Sequence, residues 1–280
     1  MKEIKFSEPL TKGRLAYEKV ALLQQKIASI SEPLYISVDL SEKRTGLSFV
    51  FLLACLHYHA LEKEKDLSLT VDAKTFSLMQ QIRVPGIRDD GQETKAKKTG
   101  FRQLVTPEDV VALTEDIWKG FPVKTSTKLG DALKFNIGEV FNNASGHAKA
   151  GHIIGGWHTK PSGIYCFSCY DTGMGIPENI NRYREANGFP RVSDGQAVRW
   201  AMRKGNSTSE RVGAGLGLDL LRRFSMTNGG AIRICSGGSL YRLNKGVEEY
   251  IKLDHPFHGT FFEMDIVRNG LYYFFKEEEN

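Results

Sequence analysis

One segment of the chain carries three polar side chains that a helix would place in a line. Glu139, Asn143 and His147 are spaced four residues apart, so on a helix they lie one turn apart along one stripe. One line of the helix would therefore present a carboxylate, an amide and an imidazole to a ligand. For the helix alone, a solvated polar face is the alternative. A separate apolar stripe would face the core and comprises Leu133, Ile137, Val140, Phe141, Ala144 and Ala148.

A carboxylate and two glycines follow the strand predicted over residues 164–170. Asp171 ends this strand, and Gly173 and Gly175 lie in the loop after it. A carboxylate can accept a hydrogen bond from the exocyclic amine of adenine, whereas guanine presents a carbonyl oxygen at that position and would be repelled. Glycines allow the backbone to approach a base closely. Taken alone, the loop could also be a plain hairpin turn.

A third motif is a glycine-rich loop before a helix predicted over residues 218–226. Gly213, Gly215 and Gly217 lead into this helix, so unpaired N–H groups and the positive end of a helix dipole would be available to phosphate. A dinucleotide-binding fingerprint would need a hydrophobic strand directly before the loop. Residues 207–211 read Ser-Thr-Ser-Glu-Arg instead, which excludes that interpretation.

The three motifs, in this order and followed by Gly259 and Thr260 in an apolar run, resemble the GHKL superfamily of ATP-binding domains. This superfamily includes DNA gyrase, MutL-type repair proteins, histidine kinases and anti-sigma-factor kinases. The resemblance covers about residues 106–267. It implies a Bergerat-type α/β sandwich, in which helices cover one face of a mixed sheet, and it implies ATP and Mg²⁺ as cofactors.

The resemblance also implies roles for single residues. Asn143 corresponds to the magnesium-coordinating asparagine, Glu139 to the acid that polarises the attacking water, and Thr260 to the residue that closes the adenine pocket beside Asp171. A lid is expected over residues 177–212, with a helix near 196–203 and mobility in the absence of nucleotide. Further nucleotide contacts are expected at His147, Gly173, Gly175, Thr208, Arg211, Gly213, Gly215 and Gly217.

The N-terminal part predicts a βαβα unit. A helix over 14–30 precedes it, and the unit comprises strands over 34–40 and 67–71 and helices over 46–61 and 76–82. It resembles a STAS-type domain, the fold of anti-sigma-factor antagonists. Thr45 lies where members of that family can be phosphorylated, although a threonine that caps a helix is the alternative.

Composition and charge limit the protein class. The length of 280 residues, with 41% hydrophobic residues, indicates two globular domains, which we place at 1–100 and 101–280. Residues 84–103 are the predicted linker, or else a surface loop. A net charge of +5 does not indicate nucleic acid. Neither a signal peptide nor a membrane-spanning run is recognisable, which favours a cytoplasmic location.

The cysteines and C-terminal histidines do not predict a metal site. Cys166 and Cys169 form a CxxC motif, but residues three apart on a strand point to opposite faces. His255 and His258 flank the last predicted strand without further ligands nearby in sequence, so they are interpreted as surface or cap residues.

The sequence therefore predicts a Mg-ATP-binding protein that acts as an ATPase or as a nucleotide-dependent regulatory switch. Its expected partners are ATP and ADP and a second protein, for which a STAS-type domain is a candidate, and a homodimer is compatible with the sequence. One alternative is a serine/threonine kinase of the anti-sigma-factor type, and another is a module that binds nucleotide without hydrolysis. His57 and His59 lie in an apolar helix with no acid directly after either, which argues against a conventional sensor kinase.

Overall fold

The computed structural model describes residues 2–6, 14–29, 34–38, 47–64, 67–70, 101–146, 151–160, 162–206 and 217–278. Several predictions fall outside these ranges. They concern the helix over 76–82 and the residues Thr45, His147, Thr208, Arg211, Gly213 and Gly215.

The described residues form strands and helices in an alternating order at the N-terminus and in a mixed order afterwards. They are β1 (Lys2–Phe6), α1 (Arg14–Ser29), β2 (Leu34–Val38), α2 (Leu47–Glu62), β3 (Leu67–Thr70), β4 (Arg102–Gln103), α3 (Pro107–Lys119), β5 (Lys124–Thr125), α4 (Thr127–Gly146), β6 (Ile153–Thr159), β7 (Tyr165–Asp171), α5 (Gly175–Ala186), α6 (Asp194–Ala201), α7 (Gly217–Asn228), β8 (Ala231–Asn244), β9 (Val247–Ile266) and β10 (Tyr272–Tyr273).

The N-terminal strands form a parallel sheet in the order β1-β2-β3. Parallel neighbours need a crossover connection, and the helices α1 and α2 lie in the two connections. The helices predicted over 14–30 and 46–61 and the strands over 34–40 and 67–71 are confirmed as elements. Strand β1 was not predicted.

A five-stranded sheet occupies the centre of the molecule. Its order is β4-β6-β7-β9-β8, and every pairing among these strands is antiparallel. A two-residue turn joins β8 to β9, with a φ of 47° at Lys245 and 79° at Gly246. Positive φ values at both central residues match the twist of a tight hairpin. The short strands β5 and β10 pair with each other in parallel.

Helices α3, α4 and α7 cover one face of this sheet. Their apolar stripes meet the sheet in a buried cluster that includes Leu113, Ile137, Phe141, Leu221, Phe167 and Met264. The stripe predicted for α4 is buried from Leu133 to Ala144. Helix α3 begins as predicted, because Thr106 accepts a hydrogen bond from the backbone N–H of Asp109 and the Asp109 side chain accepts one in return.

Helices α1 and α2 cover the opposite face of the same sheet. Tyr170 and Phe261 of the sheet pack in one cluster with Tyr17 of α1 and Phe51 of α2. Residues 51–60 are all buried, as expected for a helix that is apolar on every side. The predicted α/β fold with a helix-covered sheet is confirmed. The sequence analysis expected one covered face and a mixed sheet, whereas both faces of the five-stranded sheet are covered and its described pairings are all antiparallel.

Two segment boundaries differ from the prediction. The linker was expected to reach residue 103, but Phe101 is buried and β4 pairs with β6. The described part of the expected lid contains α5 and α6, and the Asn181 side chain bonds both the N–H and the carbonyl of Val192 between them. These bonds fix the connection between the two helices. Across the described ranges, no helix combines the length and the apolar character needed to cross a membrane.

Candidate functional site

The centre of the candidate site is the loop that follows β7. Asp171 is the last residue of this strand and is 5% exposed. Its Oδ1 accepts a hydrogen bond of 2.9 Å from the backbone N–H of Gly173. Thr172 holds the loop to the start of β6, because its N–H and its hydroxyl both bond the backbone of His152. A buried carboxyl group is therefore fixed at the mouth of a tight loop.

Strand β9 closes this loop from the other side. Thr260 lies opposite Asp171 in the strand register. The preceding residue, Gly259, has a φ of 80°, and a Cβ atom there would lie 1.9 Å from the carbonyl oxygen of Asp171. Only glycine fits this contact, for both conformational and steric reasons.

Ser236 of β8 joins the two segments. Its hydroxyl accepts a hydrogen bond of 2.9 Å from the N–H of Ile176, donates to the carbonyl oxygen of Gly259, and lies 3.1 Å from the hydroxyl of Thr260. Gly175 has a φ of 80°, and a Cβ atom there would lie 2.8 Å from the same hydroxyl. Sequence analysis missed Ser236, since it belongs to no motif and its role depends on strand pairing.

The environment of Asp171 favours its neutral form. Burial raises the pKa of this carboxyl to about 7, and the nearby charge of Glu62 acts in the same direction. Hydrogen bonds from the backbones of Gly173 and Thr260 oppose the rise without cancelling it. A carboxyl group with such a perturbed pKa in a glycine-lined loop is typical of a functional site.

Helix α4 presents the other predicted group. Glu139 is half-buried, and one of its oxygens accepts a hydrogen bond of 3.2 Å from the Asn142 side chain. Asn143, on the next turn, is exposed. These oxygen donors fit a magnesium ion whose other ligands are phosphates and water. Asn143 would hold the ion, which would neutralise phosphate charge.

The start of α7 packs against this part of α4. A Cβ atom at Gly217 would lie 3.0 Å from the Asn136 amide oxygen and 3.8 Å from the Cβ atom of Glu139. The close approach brings the end of the glycine-rich loop to the helix that carries Glu139 and Asn143. Asn136 is buried and bonds the Ala132 carbonyl, and sequence analysis did not identify it as part of this contact.

The predicted residues thus fall into two described groups. Asp171 lies with Gly173, Gly175 and Thr260, whereas Glu139 and Asn143 lie with Gly217. Alternate residues of a strand line one face, so Asp171 shares its face of β7 with Phe167, and Phe167 packs against Phe141 of α4. Both groups are therefore on the same side of the sheet. The described structure does not include the remaining predicted contacts His147, Thr208, Arg211, Gly213 and Gly215.

His258, which was interpreted as a surface or cap residue, is partly exposed but also contacts α2. Its ring is half-buried, with Nε2 2.7 Å from Glu62 Oε2 and its centroid 4.5 Å from that of His59. Both partners come from α2, about 200 positions earlier in the chain, so sequence spacing gave no signal. His255 bonds the Gln25 side chain on α1. Cys166 and Cys169 lie on opposite faces of β7, as strand alternation predicts, and Cys169 belongs to the cluster below α4.

Comparisons with known proteins give little similarity. No protein-family model and no curated protein match the chain. Among solved structures, the chain is similar to a histidine kinase domain from the Erythrobacter litoralis EL346 blue-light activated histidine kinase. The sequence identity is 11%, the TM-score is 0.28, and the match covers 90% of this chain and 93% of the other. A similarity of this size does not show a family.

Proposed function

We propose that the protein binds Mg-ATP in the manner of GHKL domains and acts as an ATPase or as a nucleotide-dependent regulatory switch. The observation that carries this proposal is the buried carboxyl of Asp171, held at the mouth of the loop that contains Gly173 and Gly175.

Asp171 supplies the specificity for adenine. An ionised carboxylate offers about four acceptor positions, and the backbone N–H groups of Gly173 and Thr260 use part of this capacity. The remaining capacity can accept the exocyclic amine of adenine. A buried carboxylate without enough donors is costly, so a ligand that brings a donor is favoured. Guanine would bring an oxygen to the same place, so the buried carboxylate would still lack a hydrogen-bond donor.

The start of α7 and the polar stripe of α4 supply the phosphate end. The N-terminus of α7 offers backbone N–H groups and the positive end of a helix dipole, and Gly217 places it against α4. Asn143 on α4 would hold magnesium beside the phosphates. Glu139, one turn earlier and half-buried, would orient a water molecule for attack on the γ-phosphate and accept its proton.

Calorimetry with ATP and GTP in the presence of Mg²⁺ tests the binding step. The parent protein should bind ATP in preference to GTP, and Asp171→Asn should lose this preference. Asp254→Asn, which removes an exposed carboxylate on β9, is the matched control and should behave as the parent. Equal affinities of the parent for both nucleotides would contradict the proposal.

Incubation with γ-labelled ATP separates the possible fates of the nucleotide. Release of free phosphate that depends on Glu139 supports the ATPase. Label that remains on a protein hydroxyl, on this chain or on an added STAS-type partner, supports the kinase alternative instead. Binding with neither product supports a switch that does not hydrolyse ATP.

A further inference from the structure

Three side chains with metal-binding chemistry meet between α2 and β9. His59 and Glu62 are three residues apart on α2 and share a face of this helix, and His258 comes from β9. One ligand atom from each residue lies within 4.8 Å of the other two. Metal–ligand bonds of about 2.0–2.1 Å in a tetrahedral site separate neighbouring ligand atoms by about 3.4 Å. The three atoms are near enough for side-chain rotation to bring them to this spacing.

His59 has a buried ring nitrogen without a hydrogen-bond partner among the described residues. The residue is 2% exposed, and its Nε2 lies 3.1 Å from the backbone carbonyl oxygen of Gln24. A carbonyl only accepts, so Nε2 carries the proton and Nδ1 carries the lone pair. Within the described residues, Nδ1 is buried and has no hydrogen-bond partner. Histidines that bind metals commonly donate their second N–H to a carbonyl in this way.

The other two ligands are also held in place. Glu62 and His258 are half-buried, with 2.7 Å between Oε2 and Nε2. The buried Gln24 side chain fixes the backbone of His258, because its oxygen accepts the His258 N–H at 2.9 Å and its amide donates to the His258 carbonyl at 3.3 Å. Gln24 thus orders both histidines, one through its backbone and one through its side chain.

We propose that His59, Glu62 and His258 bind a divalent transition-metal ion, for which Zn²⁺ is the best match. Two imidazole nitrogens and one carboxylate are a preferred donor set for zinc, whereas magnesium prefers oxygen donors only. The ion takes the place of the hydrogen bond between His258 and Glu62, and the proton of that bond passes to solvent. Three protein ligands leave a fourth position for water or another ligand.

A second cluster of metal-binding side chains is already neutralised by cations. Glu263 and Asp265 lie beside Cys166, but Arg233 bonds both carboxylates and Lys160 lies 2.5 Å from Asp265. Two cations already balance these acids, so they do not need a metal ion. At the other cluster, the described ion-pair partner of Glu62 is His258 itself.

The proposed ion would connect the N-terminal helices to the nucleotide loop. His258 is two residues before Thr260, and Glu62 lies near the loop of Asp171, since a Cβ atom at Gly151 would contact both Glu62 and Thr172 at 3.8–3.9 Å. The metal site uses none of the residues assigned to ATP. The two proposals can therefore fail separately.

Titration of the chelator-treated full chain with Zn²⁺ and with Co²⁺, in the absence of nucleotide, tests the site. We expect one ion per chain, a visible Co²⁺ absorption band that reports nitrogen ligands, and a higher melting temperature with Zn²⁺. Loss of an outer-shell partner costs about 10–100-fold in metal affinity. His59→Gln, Glu62→Gln and His258→Gln each remove a direct ligand and should cost at least as much.

His255→Gln is the matched control, because it removes a histidine three residues from His258 that bonds Gln25 instead. It should keep the affinity of the parent. Thermal melting without metal checks that each variant folds, and the variants should lose the Zn²⁺-dependent increase in melting temperature. The proposal is overturned if the parent binds no Zn²⁺ or if the variants at Glu62 and His258 bind Zn²⁺ as the parent does. It is also overturned if only alkylation of the cysteines abolishes binding, because the cysteines would then hold the ion.

Discussion

Gly259 contacts the carbonyl oxygen of Asp171 so closely that the position of a Cβ atom would lie 1.9 Å from it. The next residue, Thr260, is paired with Asp171 across β7 and β9. The backbone at the end of β9 thus positions the buried carboxyl. The shape of this backbone depends on Gly259, a residue without a side chain.

Gly259→Ala should destabilise the fold strongly. A positive φ costs a residue with a Cβ atom about 1–2 kcal/mol, and the contact with Asp171 adds a backbone clash that no rotamer can relieve. Gly163→Ala is the matched control, because Gly163 also has a φ of 80° but open space around it. Urea denaturation measures the free energy of unfolding. Gly163→Ala should lower it by about the conformational cost, and Gly259→Ala should lower it clearly more. Equal losses would contradict the close contact.

Asp171→Asn should stabilise the protein without nucleotide at alkaline pH. The pKa of Asp171 rises from 3.8 to about 7 on folding, so the folded state binds more protons than the unfolded state between these values. The contribution of this proton to the free energy of unfolding is fully present below about pH 4 and is lost as the pH rises through 7. Each pKa unit corresponds to about 1.4 kcal/mol, so the parent should lose up to a few kcal/mol relative to the variant. Thermal melting of the parent and the variant from about pH 5 to 8 measures this difference in stability. A difference that does not change with pH would contradict the raised pKa of Asp171.

The same substitution should weaken ATP binding. Asparagine keeps an oxygen for the N–H of Gly173 but loses the charge that strengthens the bond to the adenine amine. The expected loss is about 1.5–3 kcal/mol, the range for a hydrogen bond to a charged group, and should affect ATP more than GTP. Competition binding at pH 8 measures it. An Asp171 that only shapes the turn would leave both affinities unchanged.

Asn143→Ala should abolish the magnesium dependence of ATP binding and leave the fold intact. The side chain is exposed on α4, so its removal leaves no cavity. Asn142→Ala removes the neighbouring amide, which bonds Glu139, and serves as the control that should retain the dependence. Calorimetry with and without Mg²⁺ gives the readout. If Asn143→Ala retains the full magnesium effect, the ion is bound elsewhere.

Glu139→Gln should separate binding from turnover. A carboxylate that orients water contributes about 10²- to 10⁴-fold to the rate, so hydrolysis should fall by this factor while ATP affinity changes little. Glu115→Gln on α3, whose carboxylate pairs with Lys134, is a control for a loss of charge on the same helical layer. Phosphate release and binding should be measured on the same preparations. A turnover that survives in Glu139→Gln would mean that this carboxylate is structural.

Local sequence signals determined most of the elements. Thr106 and Asp109 cap α3 through bonds that span three residues, and the apolar stripe of α4 predicted its buried face. The end of α7 followed from Asn228 and Gly229, which has a φ of 72°. Such features involve neighbours along the chain, so their chemistry can be recognised before the fold is known.

The contacts between distant segments could be decided only by the tertiary structure. Hydrophobic patterning shows that α1 and α2 have apolar faces, but it does not specify which sheet these faces pack against. The role of Ser236 required the pairing of β8 with β9, and the burial that raises the pKa of Asp171 required the whole surrounding core. His59, Glu62 and His258 lie about 200 residues apart at most, and only packing of α2 against β9 brings their ligand atoms within 4.8 Å. Sequence set the chemistry of each residue, and the packing of apolar surfaces set which of them meet.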